Sequence, residues 1–530
     1  MNRHDFFQRA GGSPAQAPPA RPHDDLAPLA IQAGLEVYAE PLDRRRVAHL
    51  LRRASFGANP ERVGAWEGAS AEEVVDALVD EARAWPAPPP PPWALQGVPG
   101  SFNPDYATRN ALYMQELRSS WIETMYRRGL REKMTLLWHN HFVTGDETYF
   151  HAQIAHRYLD TLRTNAVGDF KQFVYDIGLE PAMLIYLDGN SNVKDAPNEN
   201  YARELMELFT MSPLGPDGTP NYTEDDIKEM ARALTGWGVN MTLLKGTFQQ
   251  ELFDDAEKSF LGRTGNFGYD DVVEILFEER ADAIAHFISR KLYQEFVYDA
   301  PDETIVAELA TIFLDNGFRI DPVLRVLLKS AHFFDDQVIG ARIKSPFEMM
   351  VGMMVEMHAE PNPDSFPLWA ASGQHLAQEL LSPPNVAGWP GHRHWITTAS
   401  VTARWFTTNL LIYSPRELTP VDLKPLSAAL HDPQDPLAVF YLPLKLAEHF
   451  SSIPVESLDI GMVEEDFGGD LVGNPIPETV LQEPAYVQNL AKLFLNGTPW
   501  YEWSLDNEGA NTRLRSFVRL LSALPEFQLT

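Results

Sequence analysis

At 530 residues and 44% hydrophobic content the chain can bury a large core, and a formal charge of -31 excludes the basic face that nucleic-acid binding needs. Cysteine is absent, which excludes disulfides, thiolate metal sites and cysteine nucleophiles in any compartment. No apolar run reaches the roughly 18 residues of a transmembrane helix.

Residues 1–40 read as a flexible tail. Asn2-Arg3-His4-Asp5-Phe6-Phe7 resembles a twin-arginine export motif with His4 in place of the second arginine. Gly11 to Asp25 then supplies glycine, proline, glutamine and charge where an apolar stretch belongs, so no working leader is expected and the cytoplasm is favoured. Residues 41–530 read as one mainly α domain, large, multi-helical and globular, with long Pro-rich loops.

Leu42 to Phe56 patterns as a basic amphipathic helix with Val47, Leu50, Leu51 and Ala54 on its apolar side. Ser70 caps a helix through Ala84, and the run of five prolines within Pro86 to Pro92 makes a stiff spacer. Tyr106 to Gly129 and Arg131 to Val143 follow as helices. The second carries Trp138-His139-Asn140-His141-Phe142. If it continues to its end, His139 and His141 diverge by about 200° and His141 joins Met134 and Leu137 as a buried histidine. If it stops near Trp138, both imidazoles can reach one metal.

The chemistry concentrates between Asp188 and Thr210, where a polar loop runs into a patterned helix. Asn198 is placed to cap that helix. Tyr201, Ala202, Leu205, Met206, Leu208 and Phe209 fill one arc, so the Leu205/Phe209 side is expected to be buried. Glu199, Arg203 and Glu207 are spaced as an ion-pair ladder on a wet face. Glu204 and Glu207, i and i+3, can instead converge on one ligand. In the preceding loop, counting Asp188 as position 1 of a calcium loop puts Asn190 at 3, Asn192 at 5 and Glu199 at 12. Val193 stands where the turn needs glycine, so calcium is expected to bind weakly or not at all, and an Asx-rich turn is the other reading.

Thr223 to Asp226 patterns as a capping box opening a helix through Ile227, Met230, Leu234 and Trp237, with Gly236 and Gly238 ending it. Asp271 to Phe277, Ala281 to Phe296, Pro301 to Leu314 and Asp321 to His332 read as helices. Pro346 opens a Met-rich one whose methionines suit core filling. Pro383 to Trp395 is a rigid aromatic loop in which Trp389, His392, His394 and Trp395 form a candidate surface for a sugar or a peptide. Residues 415–480 read as a Pro-rich, acidic excursion, and Val480 to Leu495 and Asn511 to Leu521 close the chain as helices. No stretch alternates as an extended sheet does.

Several blocks resemble a known family: His49 to Gly57, Trp138 to Phe142, Pro197 to Phe209, Tyr222-Thr223-Glu224, Ala231 to Trp237, Lys344 to Glu348 and Pro383 to Pro390. They look like the large bacterial family known as domain of unknown function 1800, over roughly Leu42 to Thr530. The resemblance implies a mostly helical bacterial protein, usually exported to the periplasm or beyond and often encoded beside a sulfatase-like partner. It brings no reaction with it.

Two functions follow as expectations. In a metal-dependent hydrolase, His139, His141, Glu204 and Glu207 would hold zinc, iron or manganese, with Glu204 or Glu207 as base and Arg203 gripping an anionic substrate. In a partner-binding protein or scaffold, calcium-stabilised in one version through Asp188, Asn192 and Glu199, the same blocks form buried polar networks that hold helices in register.

Overall fold

The helices begin where short polar side chains satisfy the first free backbone N–H groups. Asp43 accepts from Arg46 N at 2.8 Å to open Arg44–Ala54, and Asn103 accepts from Asp105 N at 2.9 Å to open the 25-residue helix Pro104–Arg128. Thr223 and Asp226 cap reciprocally at the start of Glu224–Ala233, and Ser345 and Glu348 do the same for Pro346–Glu356. The computed structural model describes residues 26–84, 86–98, 103–358, 360–414, 420–461, 467 and 474–530. The fold is mainly helical, 59%, with more than twenty helices and two small hairpins among the described residues. None of the described helices is long and apolar enough to cross a membrane.

The helices pack around one continuous apolar core. Leu130–His141 lies against Ala152–Asn165, which in turn meets Phe170–Gly178. Trp138, Phe142, Phe170, Phe173 and Phe209 form an aromatic cluster at its heart. Met349, Met350, Met353 and Met354 are all buried, as filler. Their helix approaches the His49 to Gly57 block backbone to backbone. A Cβ on Gly352 would sit 2.3 Å from the Phe56 carbonyl oxygen, and one on Gly57 would sit 2.7 Å from the Gly352 oxygen.

Five regions differ in detail from the sequence reading. Trp237 is not the last apolar position of a helix: that helix ends at Ala233, and Trp237–Asn240 pairs antiparallel with Lys245–Phe248. A second hairpin joins Lys258–Phe260 to Arg263–Gly265. The helix expected from Asn198 starts at Asn200 and changes at Leu205 into a π-helical turn through Thr210. Within residues 415–480, the helix Ala438–Phe450 buries Val439, Phe440, Leu442, Leu446 and Phe450 against Ala485–Leu495 and Ala510–Ala523. Residues 415–419, 462–466 and 468–473 of that stretch lie outside the described residues, as does the export-like motif in residues 1–25. Of the expected tail, the part from Ala33 to Tyr38 is tied to the body. Tyr38 N donates to Lys329 O at 2.9 Å, Ala331 N to Glu36 O at 2.7 Å and His332 N to Gly34 O at 3.1 Å.

Candidate functional site

The helix Leu130–His141 runs through the histidine block, so His139 and His141 point apart. Both nitrogens of His139 are engaged. Leu381 N donates to Nε2 at 3.0 Å, so Nδ1 carries the proton and donates to Tyr158 Oη at 2.9 Å. Tyr158 then donates to the Phe142 carbonyl at 2.8 Å. Burial, and next the charge of Arg118, hold His139 down to about 3, so it is a neutral structural group. His141 donates through Nε2 to the Phe209 carbonyl at 2.9 Å and is held well below the ordinary range by burial. Its ring is enclosed by Trp138, Phe142, Phe170, Phe209 and Phe287. Of the two structures open to this block, the chain takes the one with His141 inside. Among the described residues, no three His, Asp or Glu side chains gather as a metal-holding group, so the expected set of His139, His141, Glu204 and Glu207 is not assembled.

Asn140, between the two histidines, is a latch. Its Nδ2 donates to the Trp389 carbonyl at 3.2 Å and its Oδ1 accepts from Trp389 N at 2.7 Å. Gly388 lies so close that a Cβ there would sit 2.2 Å from Asn140 Oδ1, at a φ of +79° that also favours glycine. The aromatic loop is therefore turned inward. Trp389 and Trp395 are 6% and 8% exposed, with Trp389 packed edge-on against His139. His392 is buried and faces Asp299 at 3.7 Å, while His394 is exposed. The pair does not share a face, and the two indoles offer no open surface.

The Asp188 to Glu199 loop also spends its polar groups internally. Asp188 sits in the left-handed region at φ 58°, and its carboxylate accepts from Asn200 Nδ2 at 3.1 Å. Asn192, only 3% exposed, donates to the Ala231 carbonyl and accepts from Asn198 N, both within 2.9 Å. Asn198 accepts from Asn200 N at 3.0 Å, an Asx turn. Asn192 and Asp188 are thus already committed as protein ligands of the backbone and of Asn200, while Glu199 stands at the helix start.

The π turn holds a different arrangement. A backbone i+5 bond runs from Met211 N to Met206 O at 3.2 Å, and the Thr210 hydroxyl donates to Leu205 O at 2.6 Å. Leu205, Met206 and Phe209 are buried on the side facing the core. Asn221 donates to the Met211 and Ser212 carbonyls and so seats the following Tyr222-Thr223-Glu224 block beside the turn. Arg203 forms a bidentate pair with Glu224 at 2.8 and 2.9 Å. Glu204 and Glu207 are half-buried, and no hydrogen bond to either carboxylate is present among the described residues. Burial, then the charge of Glu207, push Glu204 up to about 7 against the opposing pull of Arg203. Burial raises Glu207 as well, and burial followed by the Glu207 charge raises the Tyr222 phenol.

One polar centre escaped the sequence reading. Arg52 and Arg53 of the first block, Lys133, and Lys344 and Glu348 of the Lys344 to Glu348 block meet in the interior: Lys133 pairs with Glu348, and Arg52 with Glu356 at 2.6 Å. Arg-Arg on a basic helix reads as solvated, and the available signal was that Arg53 flanks the Leu50/Ala54 arc. The sequence model of the family described as "Protein of unknown function (DUF1800)" matches residues 49–529. No curated protein and no solved structure matches the chain. All seven blocks quoted from the sequence fall in that span, and the chain belongs to the DUF1800 family.

Proposed function

We propose that this protein is a non-enzymatic, partner-binding scaffold, and that it docks a cationic group of its partner on the Glu204–Glu207 face of the π turn. One observation carries the reading: among the described residues, two adjacent, half-buried carboxylates, Glu204 and Glu207, accept no hydrogen bond, whereas His139, Asn140 and Asn192 are bonded inside the chain. Withdrawing a carboxylate from water without a partner is unfavourable, and a lysine or arginine side chain arriving from outside would relieve it. Tyr222 and the Arg203–Glu224 pair form the rim. The sulfatase-like protein implied by the family resemblance is the first candidate partner.

A second reading is favoured by the same adjacency of two half-buried carboxylates, Glu204 and Glu207, which can converge on one cation. In this metal-assisted hydrolase the ion would be held by Glu204 and Glu207 without His139, whose nitrogens are occupied. Such an oxygen-rich set suits manganese or another hard cation better than zinc. The ion would supply an activated water.

An oligolysine peptide and manganese chloride, each added to the full chain, separate the readings. Docking predicts a higher melting temperature with the peptide at pH 8, little at pH 5.5, and none in Glu204→Gln/Glu207→Gln. A manganese-dependent rise with metal-dependent ester or phosphoester hydrolysis, both lost in Glu204→Gln, supports the hydrolase instead. No response to either probe overturns both.

A further inference from the structure

The sequence contains two Asn-Gly pairs, Asn316-Gly317 and Asn496-Gly497, each exposed at the C-terminal end of a helix, Glu303–Asp315 for the first and Ala485–Leu495 for the second. An asparagine before glycine is able to close a ring on the following backbone nitrogen, because glycine has no Cβ to hinder the approach. Open space surrounds both glycines, so access does not separate the pairs. What separates them is how the reacting groups are held. At the first pair, Asn316 Nδ2 donates to the Ile312 carbonyl at 2.8 Å and Gly317 N to the Leu314 carbonyl at 2.9 Å. The chain beyond is fixed as well: Phe318 N donates to Phe313 O and Ile320 N to Gly168 O, both at 2.9 Å. At the second pair, neither the Asn496 carboxamide nor the Gly497 N–H has a hydrogen-bond partner among the described residues. Ring closure there needs rotation about the Asn496 Cα–C bond, now at ψ 52°, and no bond made by either reacting group resists it.

We propose that Asn496-Gly497 is a self-modifying site, at which the folded chain converts its asparagine to aspartyl and isoaspartyl residues while Asn316-Gly317 stays intact. Gly497 N gives its proton to hydroxide and bonds to Asn496 Cγ. The bond from Cγ to the amide nitrogen breaks, and that nitrogen leaves as ammonia with a proton from water. Water then opens the succinimide. Attack at Cγ yields aspartate, and attack at the former peptide carbonyl yields isoaspartate, whose backbone runs through the side-chain carboxyl. Water is consumed and ammonia released, with no other reactant. Either product places a carboxylate at the carbonyl end of Ala485–Leu495, where the helix dipole disfavours negative charge. Isoaspartate also adds a methylene to the turn that Thr498 N closes on Leu495 O at 3.1 Å. Two hydrogen bonds of ordinary net strength must break before Asn316 reacts and none before Asn496 does, so Asn496 converts faster by about tenfold or more.

The test holds the full chain at pH 8 for weeks, folded in one sample and unfolded in guanidinium chloride in another. Peptide mapping by mass spectrometry with electron-transfer fragmentation then tells asparagine, aspartate and isoaspartate apart at each pair. The site predicts both products at Asn496 in the folded chain, about tenfold less or none at Asn316, and comparable conversion of the two pairs in the unfolded chain. Comparable conversion in the folded chain overturns it, because the fold then does not choose between the pairs. An Asn496 still intact when the unfolded chain has converted overturns it too. A preference for Asn496 that is equally large in guanidinium chloride traces the difference to neighbouring sequence and overturns the structural assignment.

Discussion

Two polar blocks contribute to the same aromatic cluster, through Trp138 and Phe142 and through Phe209, and treat their polar side chains differently. In Trp138 to Phe142, each histidine and the asparagine has its donors directed to partners inside the chain: Tyr158, the Phe209 carbonyl and the Trp389 backbone. In Glu204 to Glu207, the carboxylates have no such partners among the described residues, although the same turn is anchored through Phe209 and Asn221. A buried polar group whose bonds are complete adds rigidity, whereas one left incomplete stores a preference for something that arrives later. A polar block singled out in the sequence is therefore not evidence of a reactive site until its hydrogen bonds have been followed to their ends.

The largest effect belongs to the internally bonded block. His139→Ala removes the acceptor of Leu381 N and the donor to Tyr158 and leaves a void beside Trp121 and Trp389. A loss of about 3–5 kcal/mol in urea unfolding is expected. Asn140→Ala orphans the Trp389 N–H and should cost about 2–3 kcal/mol. A loss below about 1 kcal/mol for both would show that these bonds are not the latch described above.

For the incomplete block the sign reverses. Glu204 titrates at 4.5 when unperturbed and about 7 when folded, so its contribution to stability is fully present below pH 4.5 and lost as pH rises through 7. Glu204→Gln should therefore stabilise the protein above pH 7 by about 1–3 kcal/mol, with the gain vanishing near pH 4.5. Asp146, raised to about 6 mainly by burial, acts in the same sense. His139, lowered to about 3, acts oppositely, losing stability as pH falls from 6.5. The readout is thus the difference between variant and parent at each pH, in which both cancel. A variant no more stable than the parent at pH 8 would mean that the carboxylates are better solvated or partnered than the geometry indicates.

The helical architecture was legible because 3.6-residue patterning is local: Leu205, Met206 and Phe209 are buried where their arc placed them. The hairpin at Trp237 was not, because its four-residue strands show no alternation and Gly236 and Gly238 mimic a helix terminus. Neither was the π turn, since moving a hydrogen bond from i+4 to i+5 leaves no mark on residue spacing. The roles of His139 and Asn140 were hidden for a third reason. Their partners lie 242 and 249 residues away, and only tertiary structure shows that an imidazole offered as a ligand is already bound. Glu204, Glu207 and Arg203 could be singled out from sequence, but not the coupling of Arg203 to Glu224, which joins two blocks separated by a loop.

The smallest effect tests that coupling. Arg203 and Glu224 meet with the bidentate geometry that favours a strong pair, and hydrogen bonding to Glu224 raises the guanidinium while lowering the carboxylate. Yet the Glu224 side chain is 66% exposed, so solvent and salt screen much of the attraction, and ordering two long side chains costs entropy. A double-mutant cycle with Arg203→Ala and Glu224→Ala should give a coupling of about 0.5–1 kcal/mol in low salt, shrinking by 1 M sodium chloride. Arg203 is also the cation that opposes the rise of Glu204. Arg203→Ala should therefore move the Glu204 titration further upward, and that shift, read by carbon-detected magnetic resonance of the carboxyl, is the sharper measurement. A coupling without any movement of Glu204 would make the pair a rim ornament of the helix surface; movement without coupling would show that Arg203 serves the carboxylates of the π turn first and Glu224 second.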